Sequence, residues 1–97
     1  MNENTHQLMQ YWDHYITDGE EYAHYYVYAA TQHDAELHMS NVGTSTLMGS
    51  TKLAAAQYQL DNFGITLNNT EYQEELNYLT QLLTEAENKG SCLYDHS

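Results

Sequence analysis

The stretch EEYAHYYVYAATQHDAELHMS, residues 20–40, decides the fold that the sequence predicts. Small or apolar side chains alternate with polar or aromatic ones over residues 23–29, and the alternation resumes over residues 35–40. A period of two is typical of a strand with one buried face. The run Tyr-Tyr-Val-Tyr also favours a strand. We therefore predict a hairpin whose three-residue loop, 32–34, contains Asp34 in a turn conformation that aspartate tolerates.

This predicted hairpin has two chemically different faces. Its inner face carries small and apolar side chains, namely Ala23, Tyr25, Val27, Ala29, Ala35, Leu37 and Met39. Its outer face carries aromatic, histidine and acidic side chains, namely His24, Tyr26, Tyr28, Glu36 and His38. Tyrosines with one apolar and one polar end are enriched in protein interfaces. We therefore expect Tyr26, Tyr28 and Glu36 to contact a partner.

A helix is an alternative interpretation of the same stretch. Asp18 and Glu21 have the spacing of a helix capping box, and residues 23, 26, 27 and 30 form a helical stripe. The stripe ends at the polar pair His33-Asp34. Both interpretations stay open at this point, with the hairpin preferred.

The flanking sequence predicts helices around a small sheet. Residues 4–18, 51–62 and 70–88 have apolar side chains at helical spacing. The last of these helices has a capping box formed by Thr70 and Gln73. Residues 43–49 predict a third strand or a loop, residues 65–67 a short strand, and residues 91–97 a loose tail. We predict an α+β fold: one domain, residues 1–97, with a small antiparallel sheet packed against two or three helices.

The charge excludes several functions. Fourteen acidic residues face two lysines and no arginine, which gives a formal net charge of −12. Two cations are too few to hold a nucleic acid, a nucleotide or an anionic membrane surface. We therefore expect neither direct nucleic-acid nor membrane binding, and we expect a cationic protein partner instead.

The acidic residues form two clusters that we predict to bind this partner. Asp18, Glu20 and Glu21 lie in the first turn, before residue 22. The last predicted helix carries the second cluster, Glu71, Glu74, Glu75 and Glu85. The second cluster extends over about 21 Å at ~1.5 Å per residue, or about six base-pair steps of duplex DNA. A rigid row of carboxylates on that scale imitates a phosphate backbone.

No catalytic motif and no cofactor motif occurs in the sequence, so we expect no enzymatic activity and no cofactor. Cys92 has only Lys89 as a basic neighbour, and the Gly-rich segment 43–49 lacks the lysine of a phosphate loop. The six histidines include His14, His24, His33 and His38, but none has the spacing of a known metal site. We predict no metal site, and keep a metal-binding protein or small metalloenzyme as an alternative.

Two acidic segments, DGEEY at 18–22 and EYQEELNYL at 71–79, carry a resemblance to known proteins. Together with the charge of −12 and the small α+β layout, they resemble phage-encoded DNA mimics. That group includes anti-restriction proteins, uracil-DNA glycosylase inhibitors and anti-CRISPR proteins. In size and mixed fold, the chain looks most like anti-CRISPR proteins that block type I-F surveillance complexes.

The resemblance implies an inhibitor that acts in the cytoplasm of a bacterial host. Such a protein would occupy a Lys/Arg-lined channel of a CRISPR-associated complex and prevent target DNA from binding. The single cysteine also agrees with a reducing compartment. An immunity or antitoxin protein that neutralises a basic nuclease is an alternative with the same charge requirement.

Overall fold

The computed structural model describes residues 8–63 and 67–94, and these form an α+β fold. Within these residues there are four strands and three helices. The strands are β1 (Gln10–Thr17), β2 (Tyr22–Ala29), β3 (Thr44–Gly49) and β4 (Ser91–Tyr94). The helices are α1 (Gln32–His38), α2 (Lys52–Phe63) and α3 (Asn69–Lys89).

The four strands form one antiparallel sheet in the order β3-β1-β2-β4. β1 and β2 form its central hairpin, with Gln10 opposite Ala29 and Thr17 opposite Tyr22. Gly19, with φ of 99°, lies in the turn that joins them. We call the end of the molecule that contains this turn, residues 18–21, the turn end.

One face of the sheet packs against α2 and α3. Tyr11 of β1 and Tyr26 of β2 project from this face and are 3% and 0% exposed. The helices oppose these rings with small and branched apolar side chains, namely Ala55, Ala56, Leu60, Leu79, Leu82, Leu83 and Ala86. Alanines on α2 let this helix lie close to the sheet, while the leucines of α3 fill the remaining space.

The opposite face is covered by the short helix α1. A second core forms there from Trp12, Val27, Ala29 and Ala35, and the indole nitrogen of Trp12 donates to the Ala29 carbonyl at 2.9 Å. These residues lie in the half of the hairpin remote from the turn. The seven residues of α1 therefore cover only part of the face.

The predicted helix at residues 4–18 is wrong where the structure describes it, because residues 10–17 form β1; residues 4–7 lie outside the described part. Tyr11, Trp12 and Tyr15 are aromatic residues that suit a strand, and both faces of this strand are covered in its first half, up to His14. Burial on both faces places apolar residues at adjacent positions. This arrangement weakens the period of two that identifies a half-buried strand.

The predicted hairpin within residues 20–40 is half correct. Residues 22–29 form a strand, but its hairpin partner is β1, and residues 32–38 form α1. Thr31 begins α1 by accepting a hydrogen bond from the Asp34 backbone N–H at 3.0 Å. The helical alternative, whose stripe covers residues 23–30, is wrong for residues 22–29, and α1 forms where that stripe ends.

The remaining predictions fare better. The antiparallel sheet, the third strand at residues 43–49 and the helices at 51–62 and 70–88 are confirmed with shifted ends. The capping box of α3 is wrong by two residues: Asn68 and Glu71 form it, each side chain bonding the other's backbone N–H. The expected loose tail is wrong for residues 91–94, which form β4, whereas residues 95–97 and part of the predicted strand at 65–67 lie outside the described residues.

Candidate functional site at the turn end

Both lysines of the chain lie at the end of the molecule remote from the turn. Lys52 at the start of α2 pairs with Glu87 at 3.1 Å, and Lys89 at the end of α3 pairs with Glu85 at 3.2 Å. Each cation therefore neutralises a carboxylate of the same C-terminal half of α3. At the turn end, no lysine compensates the acidic residues.

The direction of α3 explains why its lysine-paired half lies far from the turn. The Tyr28 backbone N–H donates to the Gly90 carbonyl at 3.0 Å, so α3 ends beside the last residues of β2. The N-terminal half of α3 therefore extends toward the turn end. Glu74 and Glu75 lie on this half, and burial together with the Glu75 carboxylate raises the pKa of Tyr94. Tyr94 lies opposite His24 in the sheet, so Glu75 lies on the side of β4 that faces His24 and the turn end.

The turn itself presents three carboxylates in a fixed backbone. Asp18 Oδ1 accepts the backbone N–H groups of Glu20 at 3.0 Å and of Glu21 at 2.9 Å. These hydrogen bonds, the one from Glu21 first, lower the pKa of Asp18. The Thr17 hydroxyl donates to the Glu21 carbonyl at 2.9 Å and closes the turn. All three acidic side chains are exposed.

An aromatic surface adjoins the turn on the face that carries α2 and α3. The rings of Tyr15, Tyr22 and His24 are mutual neighbours, with centroids 4.9 to 5.9 Å apart. Tyr22 is 70% exposed and Tyr15 39%. His24 Nδ1 lies 3.1 Å from Asp13 Oδ1 in an arrangement that orients both side chains. We call Asp13, Tyr15, Tyr22 and His24 the aromatic patch.

Tyr26 and Tyr28 do not form the outward surface that the sequence predicts. Tyr26 is 0% exposed and stacks on Tyr94 with ring centroids 5.2 Å apart. Tyr28 is half-buried and packs on Tyr11 at 4.9 Å. The alternation predicted along β2 is correct, but both faces of the strand are covered in its second half, from Tyr26 to Ala29. Tyr26 therefore belongs to the core and is not available to a partner.

Glu36 also has a structural role. Its carboxylate accepts the Ser45 backbone N–H at 3.1 Å, while the Gln32 side chain donates to the Ser45 carbonyl at 2.9 Å. These two side chains of α1 therefore satisfy the outward backbone groups of Ser45 on the edge strand β3. Satisfied edge groups protect a sheet from pairing with another chain. Glu36 of α1 therefore supports the edge of the sheet and is not part of the candidate surface at the turn end.

The predicted row of carboxylates on α3 is interrupted. Glu71 closes the capping box at the start of the helix, and Glu85 at the other end pairs with Lys89. Glu74 is exposed and Glu75 half-buried, and neither has a lysine partner among the described residues. Glu74 and Glu75 thus lie on the half of α3 that extends toward the turn end, whereas Glu85 lies at the other end of the helix.

Sequence reasoning missed Asp13 and Tyr15 as parts of the surface. Both were assigned to a helix, in which residues two positions apart lie on different sides. In β1, Asp13 and Tyr15 lie on the same face, beside His24 and Tyr22 of β2. The alternation of Tyr11, Asp13 and Tyr15 is the signal that could have identified them.

The described residues show little that resembles a catalytic or metal site. Residues 8–63 and 67–94 contain no group of three or more His, Cys, Asp or Glu side chains that could hold a metal ion. His24 and His38 do not meet, since His38 lies on α1 with its Nε2 3.3 Å from Ser91 Oγ. Burial and the nearby Glu85 carboxylate raise the pKa of Cys92, which keeps its thiol protonated near neutral pH.

None of the helices within residues 8–63 and 67–94 combines the length and apolar character required to cross a bilayer. Comparison of the chain with models of protein families, with curated proteins and with solved structures finds no match. The fold and the site together define the chain as a small α+β protein whose turn end is acidic and aromatic.

Proposed function

We propose that the chain is an acidic DNA-mimic inhibitor that binds a Lys/Arg-lined nucleic-acid site of another protein. The observation that carries the proposal is the separation of charge. Asp18, Glu20, Glu21, Glu74 and Glu75 lie at the end of the molecule that has no lysine, while both lysines are paired at the other end. A soluble surface normally intersperses both signs of charge.

The turn end competes with DNA for the cationic side chains that hold phosphates. Its carboxylates are carried on a hydrogen-bonded hairpin and on a helix, so little conformational freedom is lost on binding. Long-range attraction accelerates the encounter and weakens as salt concentration rises. The exposed rings of Tyr15 and Tyr22 add contacts that do not depend on charge, including contacts with arginine side chains.

The resemblance to phage-encoded inhibitors favours a type I CRISPR surveillance complex of a bacterial host as the partner. Its DNA channel has the required chemistry, since it grips a phosphate backbone with cationic side chains. In this form of the proposal, the chain acts in the host cytoplasm without a cofactor, and it contacts neither nucleic acid nor membrane directly.

A displacement assay tests the proposal. Labelled duplex DNA is bound to a purified type I-F surveillance complex, and its release by the chain is followed by fluorescence anisotropy. We expect release at low salt, and release that weakens as salt rises. The double variant Glu20→Gln/Glu21→Gln should weaken inhibition about twofold to thirtyfold, since exposed ion pairs contribute ~0.2–1 kcal/mol each.

The matched control removes two carboxylates from the lysine end. Asp34→Asn/Glu85→Gln changes the net charge by the same amount, and both residues are exposed in the wild-type chain. We expect less than a twofold loss of inhibition. Equal losses for the two double variants would show that only net charge matters, and no displacement at any salt concentration would contradict the choice of partner.

A basic nuclease is the second candidate partner, because the same turn end suits an immunity-type inhibitor. Capture from a bacterial lysate on the immobilised chain distinguishes the two: a multi-subunit complex supports the first proposal, and a single basic nuclease supports the second. In either case Glu20→Gln/Glu21→Gln should release the captured protein at lower salt than the control does.

A further inference from the structure

A shallow groove lies at the turn end, on the face of the sheet opposite to the aromatic patch. Its volume is about 330 Å³, and it is lined by Ile16, Thr17, Asp18, Glu21, Tyr22, Ala23 and Val42. The floor is apolar: Ile16 and Ala23 lie opposite each other on β1 and β2, and Val42 comes from the loop before β3. Helix α1 covers Trp12 and Val27 farther along the hairpin, so the groove remains open.

The rim of the groove is acidic. Asp18 and Glu21 border the apolar floor at the turn, and both are exposed. The Asp18 carboxylate is held in place by the backbone N–H groups of Glu20 and Glu21. Tyr22 also lines the groove and is 70% exposed. An apolar floor and fixed carboxylates are thus combined in one concave surface, while the Tyr22 ring lies on the other face with Tyr15 and His24.

We propose that this groove binds a single arginine side chain of the cationic partner. The methylene groups of the arginine lie on Ile16, Ala23 and Val42, and its guanidinium reaches Asp18 and Glu21. The inference rests on the proposed function and deepens it: the groove supplies a defined anchor, while the other carboxylates at the turn end supply attraction.

Arginine fits these features better than other side chains do. Its long apolar stem can be covered while its charged head stays near water. Its planar guanidinium binds carboxylates through two parallel hydrogen bonds, which suits the acidic rim of the groove. Sites for whole small molecules extend from ~300 to ~1,000 Å³, so this groove is at the lower limit and suits one side chain of a larger partner.

Peptide titration followed by ¹⁵N–¹H NMR tests the inference. The probe is a seven-residue Gly/Ser peptide with one central arginine, and the matched peptide carries the neutral isostere citrulline. We expect saturable shifts of the backbone amides of Thr17, Asp18, Glu21, Ala23 and Val42. The citrulline peptide should bind at least tenfold more weakly. Equal binding of the two peptides, or arginine shifts confined to α3, would overturn the inference.

A pair of variants separates groove occupancy from net charge. Val42→Arg places a cationic side chain in the groove, whereas Thr44→Arg adds the same charge two residues away, outside the groove lining and at another exposed position. We expect Val42→Arg to weaken binding of the arginine peptide at least tenfold and Thr44→Arg less than threefold. Equal weakening would show that the peptide senses only charge, and would overturn the inference.

The same variants distinguish failure of the groove from failure of the proposed function. If Val42→Arg binds the arginine peptide as the wild type does while DNA displacement persists, the groove inference is wrong and the inhibitor proposal stands. If the peptide occupies the groove as expected but the chain displaces DNA from no basic partner, the groove stands as an arginine site. The inhibitor proposal then fails.

Discussion

Gly43→Ala is the substitution for which the structure gives the sharpest expectation. Gly43 has φ of 91°, and a Cβ atom at this position would overlap the Tyr15 carbonyl oxygen and lie 2.8 Å from His14 Nε2. His14 is 0% exposed, and its two ring nitrogens contact Ser45 Oγ and the Val42 carbonyl. The added methyl group must therefore displace either backbone or a buried, hydrogen-bonded ring.

Gly19→Ala is the matched control, because Gly19 has a similar φ of 99° but no atom within 4 Å of the added Cβ. Backbone strain of ~1–3 kcal/mol applies to both variants. Overpacking costs ~1–3 kcal/mol more and applies only to Gly43→Ala. We therefore expect Gly43→Ala to lower the free energy of unfolding by about 1–3 kcal/mol more than Gly19→Ala does.

Urea unfolding followed by the fluorescence of Trp12 measures this difference, because Trp12 is buried beneath α1. The corresponding difference in Tm is about 4–8 °C per kcal/mol for a domain of this size. Equal destabilisation of the two variants would refute the reasoning, since it would show that the loop before β3 moves away from β1 at little cost.

Three further predictions concern stability. Tyr26→Phe should change the free energy of unfolding in urea by less than about 1 kcal/mol, because the buried hydroxyl lies beside Gln59 but makes no hydrogen bond of normal geometry; Tyr22→Phe, at an exposed position, should change nothing. Asn68→Ala should cost ~0.5–2 kcal/mol through loss of the α3 cap, seen as a lower urea midpoint. Burial, aided by Glu87, raises the pKa of Tyr11 from 10.0 to about 12. Tyr11 therefore contributes stability that is fully present below about pH 10 and falls by ~1.4 kcal/mol per pH unit from there to about pH 12. The raised pKa values of Tyr26 and Tyr94 act in the same direction, so urea unfolding across pH should show at least this slope above about pH 10.

The two long helices could be predicted because each has one buried face. Along α3, Leu79, Leu82, Leu83 and Ala86 follow helical spacing and are buried, while the residues between them are Thr, Gln and Glu. The spacing of apolar residues along each helix therefore shows which side of the helix is buried. The cap was misplaced by two residues because Asn68 and Thr70 both precede a Glu or Gln at the capping-box distance, and sequence alone does not choose between two acceptable caps.

The central sheet could be predicted only in part because its pairing is nonlocal. The strand β2 was predicted, but its predicted hairpin partner was the segment that follows it, residues 35–40. Its actual partner is β1, which precedes it. The turn at residues 18–21 is closed by Asp18 and Thr17, whose hydrogen bonds also suit a helix end. Edge strand β4 contributes only four residues. Its pairing with β2 depends on α3 returning the chain to the sheet.

The turn carboxylates of the candidate surface are exposed, whereas Tyr26 is buried and Glu36 binds the backbone of β3. The turn carboxylates remain exposed because a turn at the end of a hairpin projects beyond the layers that cover the strands. Tyr26 is buried because α2 and α3, which are distant from it in sequence, cover this face of the sheet. The pairing of Glu85 with Lys89 was visible at a spacing of four residues. The sequence does not show that Lys52 lies at the same end of the molecule, which is what leaves the turn end without a lysine.

The separation of charge leads to opposite effects on stability and binding. Asp18, Glu20 and Glu21 crowd one turn without a cation, so their mutual repulsion opposes folding. Glu20→Gln should therefore raise Tm while it weakens partner binding. Glu87→Gln removes the half-buried partner of Lys52 and should lower Tm with little effect on binding. A residue whose neutralisation stabilises the fold but weakens binding is retained for function. If Glu20→Gln instead lowered Tm and left binding unchanged, the turn carboxylates would have to be assigned to folding, and the inhibitor proposal would lose its main support.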